Sequence, residues 1–384
     1  MLYSKNKLHS DLHIFLTIVA TLIIIGCLFI YSASSIYALE LFGSPYYFIK
    51  RQFIGLIVGF CCFFIARIIP LSVIKKLSPF FLLIALSLTA LTLFPYFSYR
   101  VHGASRWLYI GTFTFQPSEL LKIALPLFLA YFLDKHRKIN HLLSKSYALL
   151  LFILFLISFI LLKQPDFGLT ITLLLTTLLM FFIVQLNLKQ VSMFTGALGI
   201  SALLLIIARP YRLQRLLVFL NPWHDPQGAG FQIIQSLIAI GSGHWLGMGV
   251  SQSKQKFFYL PMQHTDFIFS IIAEETGFIG CLFLITLYIL FLYFGLRIAQ
   301  NIQDKFAAYS ILGFVLIINL QTIINIAVAT NLVPTKGIGL PFISYGNTAL
   351  VCNFIIIGLI INMVHNTKEL SIARNHYDTK TNYF

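Results

Sequence analysis

The residues best suited to chemistry lie in one polar stretch at the start of a long apolar run. His264, Asp266, Glu274 and Glu275 stand at the mouth of an apolar segment that continues to Leu296. Carboxylates are costly in hydrocarbon, so acidic side chains beside a membrane helix indicate a polar functional site. On a helix, Glu274 lies about 12 Å along from Asp266 and about 80° around, while Glu275 lies on the opposite side. We therefore expect a site at Asp266 that extends towards Glu274 and not towards Glu275.

The elements that must position these residues are membrane helices. The chain has 384 residues, of which 58% are hydrophobic and 10% charged, with a mean hydropathy of +0.87. Reading apolar stretches of about 18 residues as membrane spans predicts ten spans, near residues 14–31, 51–69, 77–95, 118–133, 147–163, 167–186, 190–208, 267–296, 307–332 and 342–364. The expected fold class is an all-α integral membrane protein that forms a single polytopic domain over residues 1–384.

The basic residues indicate an orientation in the membrane rather than binding to nucleic acid. The net charge is +15, and the short segments that alternate with the spans are rich in Lys and Arg, as cytoplasmic loops are. This distribution places both termini in the cytoplasm, with tails at residues 1–13 and 365–384. It leaves one long extracytoplasmic loop, residues 209–266, between spans seven and eight. Within that loop, residues 231–240 are expected to form one short amphipathic segment.

A first group of outer charges surrounds the start of the fourth span. Pro117 suits the first turn of a helix, and Glu119 and Lys122 are three residues apart, so they share a helix face and can pair. One interpretation is a capped and internally neutralised helix start. The other is that Arg106 and Lys122 face a cavity and bind an anionic group, with Glu119 orienting Lys122.

Two further outer segments carry cations. Arg212 and Arg215 are three residues apart and form a basic face at the end of a span, which either contacts a substrate or anchors the chain to phospholipid. Lys336 is the only cation of the last outer loop, residues 331–347, whose prolines and glycines predict non-helical backbone at the membrane edge. The alternative for Lys336 is a side chain that reaches the membrane interface without binding anything.

Other polar residues have a structural interpretation. Pro165 separates spans five and six, and Asp166 is expected to cap the helix that follows. Thr265 or Asp266 is expected to cap the helix of span eight. The five cysteines lie in apolar spans without metal-ligand spacing, so we interpret them as packing residues rather than as a disulfide framework.

Several motifs in the same order along the chain resemble the SEDS family (shape, elongation, division and sporulation). They are Ser-Arg-Trp at 105–107, Gln-Pro-Ser-Glu at 116–119, Gln-Pro-Asp at 164–166, Asn-Pro-Trp at 221–223 with Asp-Pro at 225–226, Gln-Ser at 235–236, His-Thr-Asp-Phe-Ile-Phe at 264–269, Glu-Glu at 274–275 and Pro-Phe-Ile-Ser-Tyr-Gly at 341–346. Residues 209–215 and 332–337 resemble the division members (FtsW type) more than the elongation members (RodA type). Asn347, where a second glycine is usual, and residues 251–256 depart from the family pattern.

The resemblance implies a peptidoglycan glycosyltransferase in the bacterial cytoplasmic membrane. Such an enzyme polymerises lipid II into β-1,4 glycan at the septum, on the outer face, and releases undecaprenyl pyrophosphate. The family's essential aspartate falls on Asp266, and a partly dry membrane mouth raises a carboxyl pKa, as suits a general base. Positive charge, with or without Mg²⁺ or Mn²⁺, would stabilise the departing pyrophosphate; no cofactor is certain. The residues expected to bind substrate are Arg106, Glu119, Lys122, Arg212, Arg215, His264, Glu274, Lys336 and Ser344.

Two other functions remain alternatives to the enzyme. The chain could be a flippase that transports lipid II, or a non-catalytic division scaffold in which Asp266 only caps a helix. The polar groups cluster on one side of the membrane and no inverted repeat is visible, whereas transporters often bind their substrate at the midplane between repeats. The enzyme is therefore favoured. The resemblance also implies a class B penicillin-binding protein, which supplies transpeptidase activity, and other division proteins as partners.

Overall fold

Long apolar helices make up most of the chain. The computed structural model describes residues 5–94, 96, 98–101, 104–110, 113–136, 145–185, 196, 218–228, 230–257 and 259–381. Its helices are α1 (Lys5–Phe42), α2 (Tyr47–Ile68), α3 (Leu71–Leu91), α4 (Leu121–Lys135), α5 (Lys145–Lys163), α6 (Phe167–Gln185), α7 (Phe231–Ser242), α8 (Ile268–Asn301), α9 (Lys305–Ala329) and α10 (Asn347–Thr381). Of these helices, all except α4 and α7 are long and apolar enough to cross a membrane. The protein is a multi-pass membrane protein.

The helices agree with most of the predicted spans. A 3₁₀ turn at Pro117–Leu120 precedes α4, and the two together cover the predicted fourth span. The amphipathic segment predicted within the long outer loop is confirmed as α7. The predicted seventh span, residues 190–208, lies outside the described residues, apart from residue 196.

Both end helices are longer than predicted. α1 has 38 residues, or about 57 Å at 1.5 Å per residue, whereas about 30 Å crosses the hydrocarbon core. It begins inside the predicted tail at 1–13 and continues to Phe42, well past the end of the predicted first span at residue 31. No proline or glycine interrupts it between Gly26 and Gly43, where a positive φ of 69° ends the helix. α10 likewise continues through most of the predicted tail to Thr381, since no glycine or proline follows Gly358.

The segment before α4 contains strands, which the all-α prediction missed. Three antiparallel strands form one sheet in the order β1 (Ser98–Val101), β2 (Ala104–Ile110) and β3 (Phe113–Phe115). Ser105 pairs with Arg100, and Leu108 pairs with Phe115. The predicted site residue Arg106 therefore lies in the central strand, at the point where the pairing with β1 shifts register, and β3 pairs only with residues 108–110 of that strand.

The helix α9 lies at the centre of the bundle. It packs against α4, α6, α8 and α10 and is buried along most of its length. Asp304 caps its start by accepting a hydrogen bond of 2.8 Å from the amide of Ala307. α1 packs antiparallel to α8: Asp11 near the start of α1 pairs with Arg297 near the end of α8, and Ser32 of α1 donates a hydrogen bond to Glu275 near the start of α8.

A break in α8 is filled by the segment that follows α7. Gly277 has φ 66° and ψ −164°, outside the helical region. Four backbone hydrogen bonds cross between the two segments: Met248 and Gly249 donate to the carbonyls of Glu274 and Glu275, while Phe278 and Ile279 donate to those of His244 and Trp245. A Cβ at Gly247 would collide with the carbonyl of Glu275, so only glycine allows this approach.

Asn347 fits the fold where the family pattern has glycine. It begins α10, and its side chain lies against Gly55 of α2, at which an added Cβ would be 2.8 Å from the Asn347 Oδ1. The glycine in α2 therefore leaves the room that the larger side chain needs.

Candidate active site

Asp266 lies in a tight turn immediately before α8. The amides of Thr265 and Phe267 both donate to the carbonyl of Met262, at 3.1 and 3.3 Å. α8 then begins at Ile268 without a side-chain cap, so the prediction that Thr265 or Asp266 caps this helix is wrong. The carboxylate of Asp266 is consequently not used to satisfy helix amides.

Arg106 reaches from the sheet to the loop between α5 and α6. Its Nε donates to the carbonyl of Gln164 at 3.2 Å, and its Nη2 donates to that of Pro165 at 2.5 Å. Its Nε also lies 4.0 Å from Oδ2 of Asp166. The other oxygen of Asp166 accepts from the amide of Leu169 at 3.3 Å, which confirms the predicted cap of α6. Asp166 therefore both starts a helix and orients a guanidinium group.

The loop at residues 331–347, predicted as the last outer loop, meets Asp266 and Arg106 at a glycine. A Cβ at Gly337 would lie 3.1 Å from Oδ2 of Asp266 and 3.9 Å from Nη1 of Arg106. The preceding residue, Lys336, places its ammonium 5.7 Å from the centre of the Phe167 ring at the start of α6. Four segments that are distant in sequence therefore converge here. They bring together two carboxylates, Asp266 and Asp166, and two cations, Arg106 and Lys336.

The electrostatics of this cluster suit proton transfer. The pKa of Asp266 is raised to about 6, chiefly by burial of the carboxyl group. The positive charge of Arg106 acts against this rise in pKa, and the negative charge of Asp166 adds to it. Burial also lowers the pKa of Lys336 to about 8. At neutral pH, Asp266 is thus mostly ionised and able to accept a proton, while Lys336 remains mostly charged. A general base works best when its pKa lies near the operating pH.

Ser344 joins the last outer loop to the Asp266 turn. Its hydroxyl donates to the carbonyl of Thr265 at 2.5 Å and accepts from the amide of Leu340 at 2.7 Å. The amide of Tyr345 donates to the carbonyl of His264 at 2.9 Å. Ser344, expected to bind substrate, is here a bridge between two loops that hold the site.

The imidazole of His264 is packed among aromatic rings. Its centroid lies 4.4 Å from that of Phe48, 5.6 Å from Tyr37 and 5.8 Å from Tyr345. Burial lowers the pKa of His264 to about 4, so the ring is neutral at pH 7. These contacts pack His264 against aromatic residues that support the Asp266 turn.

Glu119 and Lys122 pair as predicted, but the structure does not bring Lys122 together with Arg106. The Lys122 side chain is almost fully buried; it forms an ion pair with Glu119 and donates to Oε1 of Gln321 at 3.3 Å. Gln321 in turn donates to the carbonyl of Gly339 at 2.9 Å. The internally neutralised helix start, rather than a cavity-facing lysine, is therefore the arrangement observed.

Removing the charge of Lys122 is expected to destabilise the fold. Lys122→Met leaves the Glu119 carboxylate buried without its partner, and breaking a buried ion pair costs about 3–5 kcal/mol. We expect a large fall in the yield and thermal unfolding temperature of the purified protein. The double variant Glu119→Gln with Lys122→Met should recover part of the loss. A well-folded Lys122→Met protein with weakened substrate binding would contradict this prediction.

Glu274 and Glu275 hold a loop and are not joined to Asp266. The Glu274 carboxylate accepts hydrogen bonds from the hydroxyl of Ser253 and the amides of Lys254 and Gln255. Glu275 accepts from the hydroxyl of Ser32 at 2.6 and 2.8 Å and from Nζ of Lys256 at 3.4 Å. Both carboxylates are buried. The site was expected to extend from Asp266 to Glu274. The Glu274 carboxylate instead accepts hydrogen bonds from the loop at 251–256.

Some residues at this site were not expected, and others are not described. The sequence interpretation missed the ion pairing of Asp166, the close approach at Gly337 and the buried amide of Asn325. The first two lie inside recognisable motifs, but Asn325 lies within an apolar span, where only its polarity is a signal. Arg212 and Arg215 fall outside the described residues. Among the described residues, no group of three His, Cys, Asp or Glu side chains could hold a metal ion.

A family model covers nearly the whole chain. Residues 12–369 match the FtsW–RodA–SpoVE model, which is described as a cell cycle protein. The chain belongs to this family. A relative in Trichlorobacter lovleyi, named "Probable peptidoglycan glycosyltransferase FtsW", is 39% identical over 92% of this chain and 92% of its own length. The Stage V sporulation protein E of Bacillus subtilis is 36% identical over 94% of this chain and 98% of its own length.

Solved structures of similar chains share the family fold. One comes from work called "Structural coordination of polymerization and crosslinking by a peptidoglycan synthase complex"; it is 28% identical, with a TM-score of 0.75, over 92% of this chain and 97% of that one. The rod shape determining protein RodA of Thermus thermophilus is 25% identical, with a TM-score of 0.68, over 91% of this chain and 95% of that one. Both similarities extend over more than nine tenths of this chain.

Proposed function

We propose that this family member is a peptidoglycan glycosyltransferase that polymerises lipid II into β-1,4 glycan strands during septal wall synthesis. The observation that carries the proposal is the meeting of Asp266 and Arg106 at Gly337. A partly buried carboxylate with a raised pKa thus lies beside a positive charge held by its own hydrogen bonds. The relatives named as peptidoglycan glycosyltransferases support the same activity.

Asp266 acts as the general base in this reaction. A sugar hydroxyl of the acceptor gives its proton to the Asp266 carboxylate while its oxygen bonds to the anomeric carbon of the donor. The bond from that carbon to the pyrophosphate oxygen breaks, and undecaprenyl pyrophosphate leaves with the electron pair. Attack opposite the leaving group inverts the α-linked donor to a β-1,4 product. The partial burial of Asp266 keeps water from competing for the proton.

The cations around Gly337 stabilise the leaving pyrophosphate. Arg106 is already held in place by two carbonyls and Asp166, so no reorganisation is needed when the negative charge develops. Lys336 supplies a second charge from the neighbouring backbone position. Arg212 and Arg215 remain candidates for the same role. Lys122 does not, since Glu119 neutralises it inside the bundle.

Any divalent cation would arrive with the substrate. The described residues offer two neighbouring carboxylates, Asp166 and Asp266, and Arg106 already pairs with the first. Mg²⁺ is commonly held by one or two carboxylates together with substrate phosphates, so the pyrophosphate of lipid II would supply the missing ligands. Titrating Mg²⁺, Mn²⁺ and a chelator into the polymerisation reaction tests this proposal.

The reaction takes place at the outer face of the cytoplasmic membrane, at the division septum, with both chain termini in the cytoplasm. The partner is a class B penicillin-binding protein that crosslinks the strands, in company with other division proteins. The similar chain from a peptidoglycan synthase complex, in which polymerisation and crosslinking are coordinated, supports such a pairing. Copurification with the transpeptidase encoded by the same organism and septal localisation of a fluorescent fusion test these points.

The direct test of function uses purified lipid II. The full-length protein, reconstituted with its transpeptidase partner, should convert lipid II into long glycan strands that lysozyme digests. Transport of lipid II across vesicle membranes without polymerisation would instead support the flippase. The absence of both activities in a well-folded complex would support the scaffold.

The rate of polymerisation should depend on the ionisation of Asp266. Because the protonated carboxyl cannot accept a proton, the rate should fall as pH decreases through about 6, the raised pKa of this group. Asp166→Asn keeps an oxygen to cap α6 but removes a negative charge that raises this pKa. The acid limb of the pH–rate profile should therefore move to lower pH in that variant. An acid limb that stays in place would contradict the electrostatic coupling of the two residues.

A further inference from the structure

One buried amide of α9 binds both backbone segments that form the site. The Nδ2 of Asn325 donates to the carbonyl of Asp266 at 2.8 Å and to that of Ile338 at 2.6 Å. The residue is 1% exposed, and neither bond follows from its position on the helix, because both acceptors belong to other elements. Ile338 directly follows Gly337, the residue at which the carboxylate and the guanidinium meet.

We propose that Asn325 is the positioning residue that sets the Asp266 carboxylate against Gly337. One NH₂ group has two hydrogens in a fixed plane, so its two acceptors are held at a fixed separation. The amide therefore sets the spacing between the Asp266 turn and the last outer loop. This inference rests on the proposed function, in which Asp266 is the general base.

Neighbouring contacts show why this amide is placed to control Asp266 itself. Gln321, one helical turn earlier, holds the same outer loop through the carbonyl of Gly339 but does not reach the Asp266 turn. Ser344 holds that turn at Thr265 from the outer loop. Among the hydrogen bonds of the described residues, the one from Asn325 ties the backbone of Asp266 to the central helix. Without it, the buried carbonyl of Ile338 and the part-buried carbonyl of Asp266 both lose this donor. A buried acceptor left unsatisfied costs about 1–3 kcal/mol.

A matched control lies on the same helix. Asn319 is also buried, but its Nδ2 donates to the carbonyl of Val315 within α9, at 2.9 Å. Asn319→Leu and Asn325→Leu therefore remove the same chemical group from the same helix at similar depth. They differ in whether the lost hydrogen bonds reach the site.

The test compares these variants in the complete complex with lipid II as substrate. Asn325→Leu should lower kcat by about 10- to 100-fold, the effect of misplacing a reacting group by about 1 Å, with KM within about twofold. Asn319→Leu should keep kcat within about threefold of the wild type. If Asn325→Leu does not fold, Asn325→Asp, which has the same shape and at most one donor, takes its place. An unchanged kcat, or equal losses in the two asparagine variants, would overturn the proposal.

Hydrogen exchange gives a second reading that does not depend on activity. Amides in residues 262–267 and 336–346 should exchange faster in the Asn325 variant than in the wild type, and they should be unchanged in Asn319→Leu. No change in these segments would show that Asn325 does not position them. If the wild type makes no glycan, the proposed function fails, while the exchange result still decides whether Asn325 holds the two segments together.

Discussion

Asp266→Asn is expected to abolish glycan polymerisation while leaving the membrane protein folded. The amide has the shape of the carboxyl group but cannot accept a proton from the attacking hydroxyl. A general base contributes about 10²–10⁴-fold to a rate, so residual product should fall below one hundredth of the wild-type amount. Gel analysis of glycan strands made by the variant and wild-type complexes measures this directly.

The same variant should be more stable than the wild type at neutral pH. Burial raises the Asp266 pKa from 3.8 to about 6, so the folded protein binds this proton more tightly than the unfolded chain does. The penalty for an ionised carboxylate grows as pH rises from about 4 and is fully present above about 6. The full shift corresponds to about 3 kcal/mol, and partial exposure of the side chain reduces it to about 1–2 kcal/mol. The unfolding temperatures should differ at pH 8 and converge near pH 4.

A distant aspartate serves as the control for this experiment. Asp134 pairs with Lys75 at 2.5 Å between α4 and α3, and its side chain is partly exposed. Asp134→Asn should retain polymerisation within about twofold. Wild-type activity in Asp266→Asn would remove the general base from the mechanism, and inactivity accompanied by unfolding would show that Asp266 serves the fold instead.

Arg106→Gln should produce the second large effect, a loss of about 100-fold in kcat/KM. Removing one preorganised group that stabilises developing charge costs about 10²–10³-fold. The positive charge of Arg106 also lowers the pKa of Asp266, so its removal should move the acid limb of the pH–rate profile to higher pH. Arg106→Lys restores the charge but not the planar fork that contacts Gln164 and Pro165. We expect Arg106→Lys to return the limb towards its wild-type position and to recover only part of the rate.

The expected effects of Arg106→Gln on kcat/KM and on the pH–rate profile together distinguish an electrostatic role of Arg106 from a structural one. A merely structural role would lower the amount of folded protein and leave the pH–rate profile of the remainder unchanged. Lys75→Gln, at the ion pair of α3 and α4, is the matched loss of a cation and should leave both rate and profile unchanged. An Arg106→Gln enzyme with the wild-type rate would exclude Arg106 from stabilising the leaving group.

The sequence by itself determined the features that depend on short-range patterns. Apolar runs of membrane length identified most of the spans, because a helix must satisfy its own backbone in hydrocarbon. The spacing of Glu119 and Lys122 predicted their ion pair, and the position of Asp166 after Pro165 predicted the cap of α6. The apolar period of residues 231–240 predicted α7. Each of these inferences uses only residues within one continuous segment of the chain.

Only the tertiary structure decided which of the polar residues form one site. The sheet that carries Arg106, the approach of Gly337 to Asp266 and the double hydrogen bond of Asn325 all join segments more than ten residues apart in sequence. The same structure turned Glu274 towards the loop at 251–256 and enclosed Lys122 within the bundle. Helical spacing shows which face a side chain occupies but not which element packs against that face. The packing of α9 and the loops above it supplies that information.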